Sequence, residues 1–181
     1  MSTANKANRY SSASIAMHWL MLLLIVAVYA CIELREFYPK GSDPRNALKS
    51  WHFTLGLTVF ALVWLRLVLR LLRPVPPIEP APAIWQQRLA GLLHLALYAL
   101  MICMPVLGWL VLSGEAKPVP FWGLDLPALM GKNKDLAETL EDIHAVFGEV
   151  GYYLIGLHAA AALVHHYLLK DNTLRRMLPG G

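Results

Sequence analysis

Four long apolar runs in a chain of only 181 residues constrain the fold more than any other feature of the sequence. A helix needs about 20 mostly apolar residues to cross the hydrocarbon core of a bilayer. Hydrophobic residues make up 57% of the chain and charged residues 15%, whereas soluble domains carry about 25% charged residues. The sequence therefore predicts an integral membrane protein with four spanning helices, whose apolar runs lie at about 15–34, 51–72, 84–112 and 143–169.

The connections between the runs are short, which favours one all-α domain over residues 1–181, an antiparallel four-helix bundle. Residues 35–50 are predicted to be a loop in which Pro44 is a turn residue. The longest loop, at about 113–136, is predicted to lie on the membrane surface or to cap the bundle. Five prolines in residues 73–83 exclude helix there and favour an extended linker. With polar flanks included, the helices are expected at about 9–34, 51–72, 84–113 and 137–169.

Basic residues are concentrated at one end of the predicted bundle. The end that holds both termini and the 73–83 linker carries nine Lys or Arg against two Asp or Glu, and the opposite end carries seven against ten. Because the cytoplasmic ends of membrane proteins are enriched in Lys and Arg, both termini are predicted to be cytoplasmic. These basic residues lie where anionic lipid headgroups would meet them, so the net charge of +4 requires no nucleic-acid partner. The basic residues of this inner end are Lys6, Arg9, Arg66, Arg70, Arg73, Arg88, Lys170, Arg175 and Arg176.

Four histidines lie within or beside these apolar runs, where an ionisable side chain is costly. His144 and His158 are fourteen residues apart in the fourth run, a spacing that returns to nearly the same helix face about 21 Å further along the axis. In the predicted orientation, His18 and His158 lie toward the cytoplasm, and His52 and His144 lie toward the outer side. The depths therefore predict an inner pair and an outer pair.

Two neutral imidazoles are good axial ligands for haem iron, and the resulting six-coordinate centre suits electron transfer. The pairs His18–His158 and His52–His144 therefore predict two bis-histidine haems b. A zinc site is not excluded by spacing alone, but zinc prefers tetrahedral clusters, and about 21 Å separates the two histidines of the fourth helix. A single buried histidine is also often a hydrogen-bonded structural residue.

Residues near the four histidines suit a porphyrin between helices. Gly56, Gly148 and Gly151 are expected to let backbone approach the ring, although small residues are common wherever membrane helices pack. Arg66 is predicted to face the same way as His52, at the inner end, and to pair with a haem propionate. Arg70 and Arg73 continue this stripe. The alternative is that these arginines extend to lipid headgroups.

Three further histidines lie toward the inner side. His94 belongs to the third run, and His165 and His166 end the fourth. His94 and His165 are predicted to line a quinone pocket near the inner haem, where they would donate a hydrogen bond or move protons. The alternative is that these histidines simply meet water and headgroups.

Several stretches of the chain are distinctive beyond the histidines themselves. His18-Trp19 opens the first helix, residues 34–39 (LREFYP) leave it, and residues 151–167 (GYYLIGLHAAAALVHHY) continue into 170–179 (KDNTLRRMLP). In these stretches the chain resembles the bacterial cytochrome b561 family, and the resemblance runs nearly from end to end.

The resemblance implies a four-helix protein of the bacterial inner membrane with two haems b, ligated at the positions of His18, His52, His144 and His158. It further implies a superoxide oxidase-like activity, in which electrons pass from superoxide at the periplasmic face to ubiquinone. A related protein of this family has a serine two residues before the first-helix histidine, and the residue at that position here is Ala16. If that hydroxyl holds quinone, Ser14 or Ser12 would have to substitute.

A local funnel of basic residues for a small anion is predicted near the outer haem. The outer loops are net negative, so a solvated surface is the alternative for most of these residues. They are Arg35, Lys40, Arg45, Lys49, Lys117, Lys132 and Lys134.

Two other functions remain open from the sequence. The same four-histidine plan is similar to the cytochrome b subunits of formate dehydrogenase and nickel-iron hydrogenase, so the chain could be a membrane anchor that passes electrons between such an enzyme and quinone. A haem-free transporter or interaction protein is the alternative from another class. Cys31 and Cys103 show no disulfide framework and no C-x-x-C motif.

Overall fold

The structure, a computed structural model, describes residues 9–179. Its long helices are each long and apolar enough to cross a membrane, which confirms the predicted all-α membrane bundle. Lys6 of the predicted basic end lies outside the described residues. The elements are α1 (Ser12–Leu34), α2 (Asp43–Leu72), α3 (Ile84–Gly114), β1 (Val119–Phe121), β2 (Leu124–Leu126) and α4 (Lys134–Tyr167), with short 3-10 turns at Arg35–Phe37 and Arg175–Met177.

The start of α2 differs most from the sequence prediction. The helix begins at Asp43, eight residues before position 51, so residues 43–50 are helix and not loop. Pro44 occupies the first turn of the helix, where its missing N–H costs nothing and its fixed φ suits helical backbone. Asp43 adds a favourable acidic group at the same end. Interpreting Pro44 as a turn residue within a loop was therefore wrong.

The four helices form two close pairs, with α1 packed on α2 and α3 packed on α4. The α2–α3 contact joins the pairs, and α1 and α2 contribute a small buried core around Met21, Val59 and Val63. Within the described residues, α4 makes few close backbone contacts with α1 or α2. A gap therefore runs alongside α4 between the two helix pairs. The candidate site lies in this gap.

A hairpin of β1 and β2 packs against the outer part of α2. Val119 is 1% exposed and packs with Leu57 and Leu112. The Thr54 hydroxyl donates to the Pro120 carbonyl at 3.2 Å, and the Trp122 indole donates to the Thr58 hydroxyl at 3.0 Å. These contacts place the hairpin against the outer part of α2, beside Leu112 of α3. The strands themselves were not predicted.

The inner end of the bundle brings the start of the chain, the linker and the C-terminal tail together. The Trp19 indole donates to the Met177 carbonyl at 2.8 Å. Asn172 and Glu79 exchange two hydrogen bonds, from the Asn172 N–H at 3.1 Å and to its Oδ1 at 2.9 Å. Residues 73–83 contain no helix, as predicted. The three segments therefore lie at one end of the bundle.

Candidate functional site

The inner histidines meet across the gap beside α4. The ring centres of His18 on α1 and His158 on α4 are 6.2 Å apart. His94 on α3 lies closer still to His158, at 5.3 Å. The Arg66 guanidinium donates to Nδ1 of His18 at 2.9 Å. Three imidazoles and one guanidinium therefore share the inner half of the gap.

The outer histidines meet across the same gap, with the ring centres of His52 on α2 and His144 on α4 6.1 Å apart. Nδ1 of His52 donates to the Val28 carbonyl at 3.1 Å. Because a carbonyl can only accept, the proton of the neutral ring lies on Nδ1, and Nε2 is left with a lone pair for a metal.

A cavity of about 990 Å³ surrounds the outer pair, at the upper end of the usual range for ligand pockets. Gly56, Gly108 and Gly148 are among its lining residues, together with His52 and His144. A Cβ at Gly56 would meet nothing within 4 Å. Gly56 therefore leaves open space beside the imidazoles, whereas a Cβ at Gly148 would lie 3.7 Å from Cε of Met104.

Gly108 on α3 was missed by the sequence analysis. A Cβ there would lie 3.4 Å from Cε1 of the His144 ring. The glycine therefore makes room for this imidazole, whose buried Nδ1 has no hydrogen bond of normal geometry. Gly108 lies four residues before Leu112 on α3, a helix that contributes no histidine to the outer pair. Nothing in the sequence therefore indicated that this glycine lies beside His144.

The distances of both pairs suit two imidazoles that bind one metal ion from opposite sides. A metal–imidazole bond of about 2 Å on each side places the two ring centres roughly 6 Å apart. At the outer pair, Nε2 of His52 has its lone pair available for a metal. At the inner pair, Nδ1 of His18 accepts from Arg66, so ligation through Nε2 requires Arg66 to release that bond. Nη1 of Arg66 is buried and without a partner among the described residues, so this cation needs an acceptor.

No group of three or more His, Cys, Asp or Glu side chains that could hold a metal ion occurs in residues 9–179. A tetrahedral zinc site needs such a cluster. Two facing imidazoles match the axial ligands of an iron whose other ligands come from a porphyrin.

His165 lies at the inner end of α4 and contacts Asp171 of the tail, with 2.5 Å between Nδ1 and Oδ2. The Thr173 N–H also donates to this carboxylate, at 2.8 Å. Burial raises the pKa of Asp171, but the hydrogen bonds from His165 and Thr173 outweigh it and hold the pKa below its usual value. Asp171 was not among the predicted site residues, because only the folded tail brings it to His165.

The predicted basic funnel is reduced by the structure. Arg45 is 8% exposed and donates to the Arg35 and Tyr38 carbonyls and to both carboxylate oxygens of Glu36. Arg45 therefore joins the ends of α1 and α2 and is not available to a ligand, so its place in the funnel was wrong. The charged residues that line the cavity are Arg35, Lys49 and Lys117 with Glu33, Glu115, Glu141 and Glu149.

The comparison with known proteins decides the family. The sequence profile described as prokaryotic cytochrome b561 matches residues 9–180. The chain belongs to this family. As a prokaryotic cytochrome b561 it binds haem b, carries electrons, and is a multi-pass protein of the bacterial inner membrane.

Curated relatives match this cytochrome b561 over nearly their whole length. Cytochrome b561 homolog 1 of Escherichia coli is 37% identical over 172 residues, which cover 95% of this chain and 98% of that protein. A protein of Yersinia pestis named probable superoxide oxidase CybB is 40% identical over 171 residues, or 94% and 96% of the two chains. Cytochrome b561 homolog 2 of Escherichia coli is 28% identical over 98% of this chain and 95% of its own.

Proposed function

We propose that this cytochrome b561 oxidises superoxide at its outer face and reduces ubiquinone within the membrane. The observation that carries the proposal is the pair of facing imidazole sites, His18–His158 and His52–His144, aligned along one gap at 6.2 and 6.1 Å. Two aligned haem sites make an electron path across most of the bilayer. The similarity to a protein named as a probable superoxide oxidase supports superoxide as the donor.

The orientation follows from charge. The end with both termini is the more basic one and faces the cytoplasm, so His52 and His144 belong to the periplasmic half. Arg35, Lys49 and Lys117 are the basic residues at the outer cavity. Arg35 is paired with Glu36 and Lys117 with Glu115, and four glutamates also line the cavity, so the attraction for a small anion is local and centred on Lys49.

Haem iron, when bound, supplies one-electron chemistry through its change of valence. The complete reaction converts two superoxide ions, one quinone and two protons into two molecules of oxygen and one quinol. The side chains contribute ligands and charge. The Val28 carbonyl holds His52 in the tautomer that would bind iron through Nε2. Arg66, whose buried Nη1 has no partner among the described residues, would pair with a haem propionate.

Quinone reduction consumes protons, and the inner end of the bundle contains the groups to supply them. We place quinone beside His158, where His94 donates a hydrogen bond to a carbonyl oxygen. His165, which contacts the Asp171 carboxylate, delivers protons from the cytoplasmic side.

The test uses purified protein free of quinone. Superoxide is expected to reduce its haems rapidly, superoxide dismutase is expected to suppress that reduction, and added ubiquinone is expected to reoxidise them. Stopped-flow absorbance follows each step. Reduction that dismutase leaves untouched would eliminate superoxide as the donor, and haems that stay reduced after quinone addition would eliminate the acceptor.

Replacing Asp171 with asparagine is expected to slow quinone-dependent haem reoxidation at least about tenfold. General acids usually contribute roughly 10²–10⁴-fold, and water replaces part of that. Folding lowers the pKa of Asp171, so the ionised carboxylate contributes its full stabilisation of the fold at neutral pH. That contribution is lost only as the pH falls through the pKa that Asp171 has in the folded protein. The substitution therefore removes a full charge at pH 7.

Two measurements separate this role from a general loss of structure. Haem reduction by superoxide is expected to be unchanged in Asp171→Asn, because it occurs at the other end of the molecule. Asp142→Asn makes the same chemical change at an exposed position of α4 near the outer end and is expected to leave reoxidation unchanged. Equal reoxidation rates in the two variants would exclude Asp171 from proton delivery.

A further inference from the structure

Two tyrosines join α1 to α4 beside the outer histidine pair, and the proposed electron path does not use them. The Tyr29 hydroxyl donates to the Gly148 carbonyl at 2.8 Å. The Tyr152 hydroxyl donates to Oε1 of Glu33 at 2.6 Å. The two rings lie 4.3 Å apart at 45°. Each helix therefore provides one hydroxyl that crosses the gap to the other.

The contacts of Tyr29 bear directly on the outer pair. The preceding residue, Val28, accepts the hydrogen bond from His52. The carbonyl that accepts from Tyr29 belongs to Gly148, one helical turn after His144. Two consecutive residues of α1 thus hold α2 and α4 at the level of their imidazoles, although α1 contributes no imidazole to this pair.

Gly151 of α4 leaves the space that the Tyr29 hydroxyl occupies. A Cβ at Gly151 would overlap the Tyr29 hydroxyl and lie 3.1 Å from Cδ2 of Leu100. Gly151 is itself buried. This glycine was predicted to make room for a porphyrin, but its space is taken by the tyrosine that bonds to Gly148.

We infer that Tyr29 is a positioning residue for the outer haem, whose hydroxyl, seated against Gly151, sets the separation of His52 and His144. The inference rests on the proposed assignment of these histidines as ligands. α3 joins α2 to α4, but α4 has few close backbone contacts with α1 or α2 in the described chain, so hydrogen bonds across the gap contribute to the separation. The placement and hydrogen bonding of the two imidazoles would tune the reduction potential of a haem held between them.

The first test is Tyr29→Phe, which keeps the ring and removes the hydroxyl. Both haems are expected to be retained, with the electron paramagnetic resonance signal and the midpoint potential of the outer haem shifted. Transfer of the outer haem to apomyoglobin is expected to accelerate about fivefold, since one hydrogen bond is lost. The inner haem of the same molecule is the internal control. Tyr167→Phe removes a hydroxyl from an exposed position at the inner end and is expected to leave the outer signals unchanged.

The second test is Gly151→Ala, which keeps the Tyr29 hydroxyl but fills the space that this hydroxyl occupies. The outer haem is expected to shift as in Tyr29→Phe. Combining the two substitutions removes the clash along with the hydroxyl, so the double variant is expected to resemble Tyr29→Phe alone, with shifts that do not add.

The outcomes distinguish this inference from the proposed function. Two haems with unchanged outer signals in both single variants, or shifts that add in the double variant, would overturn the role of Tyr29 and leave the ligand assignment intact. A wild-type protein that holds no haem between these histidines would overturn both. If one single variant fails to fold, the other decides the question alone.

Discussion

Replacing His158 with alanine is expected to remove the inner haem and to abolish reduction of added quinone, while the outer haem stays in place. His158 faces His18 at 6.2 Å, and loss of one axial ligand costs more haem affinity than the roughly 10–100-fold usual for losing an outer-shell partner. Haem content per protein is expected to fall by about half. Pyridine haemochrome titration measures the content, and low-temperature absorbance separates the two haems.

His94→Ala is the matched control, because His94 is the competing imidazole in the inner group. Its ring lies 5.3 Å from that of His158, nearer than His18. In the proposed arrangement, His94→Ala retains both haems and slows only the reaction with quinone. Retention of both haems in His158→Ala, with loss of one in His94→Ala, would show that His94 is the ligand.

Replacing His52 with alanine is expected to remove the outer haem and to lower the rate of haem reduction by superoxide by at least about 10²-fold. The reason is that the remaining haem lies at the other end of the gap, about 21 Å away along α4, the axial distance between its two histidines. Stopped-flow absorbance with a superoxide pulse measures the rate, and reduction by dithionite shows that the inner haem still accepts electrons.

His144→Ala is expected to reproduce the effect of His52→Ala, because the two side chains form one site at 6.1 Å. The double variant should be no worse than either single variant, since residues that act as a unit do not add. Loss of different haems in the two single variants would separate the pair and refute the outer site.

Sequence patterns were sufficient for the features that a bilayer imposes on any chain. The length of the apolar runs specified four helices, because backbone polar groups in hydrocarbon must be satisfied within the segment. Depth along those helices grouped the histidines. The structure brings His18 near His158 and His52 near His144, but it also brings His94 nearer to His158 than His18 is. Helix ends were less accurate where a residue has two roles, as Pro44 does in turns and in first helical turns.

Sequence patterns did not predict contacts between segments that are distant in the chain. Asp171 meets His165 only because the tail folds back on the inner end. Arg45 looked like a solvated cation, yet it is buried against the end of α1. Gly151 lay on the expected face, but its neighbour is Tyr29.

The membrane class, the number of spans and the paired depths of the histidines thus follow from local composition and helical periodicity, which are properties of each segment alone. The separation of the two helix pairs, the glycine that makes room for His144 and the tyrosine that ties α1 to α4 depend on which side chains meet across the gap. Helix packing in a membrane is decided by such close contacts and hydrogen bonds, because burial of apolar surface no longer distinguishes one neighbour from another.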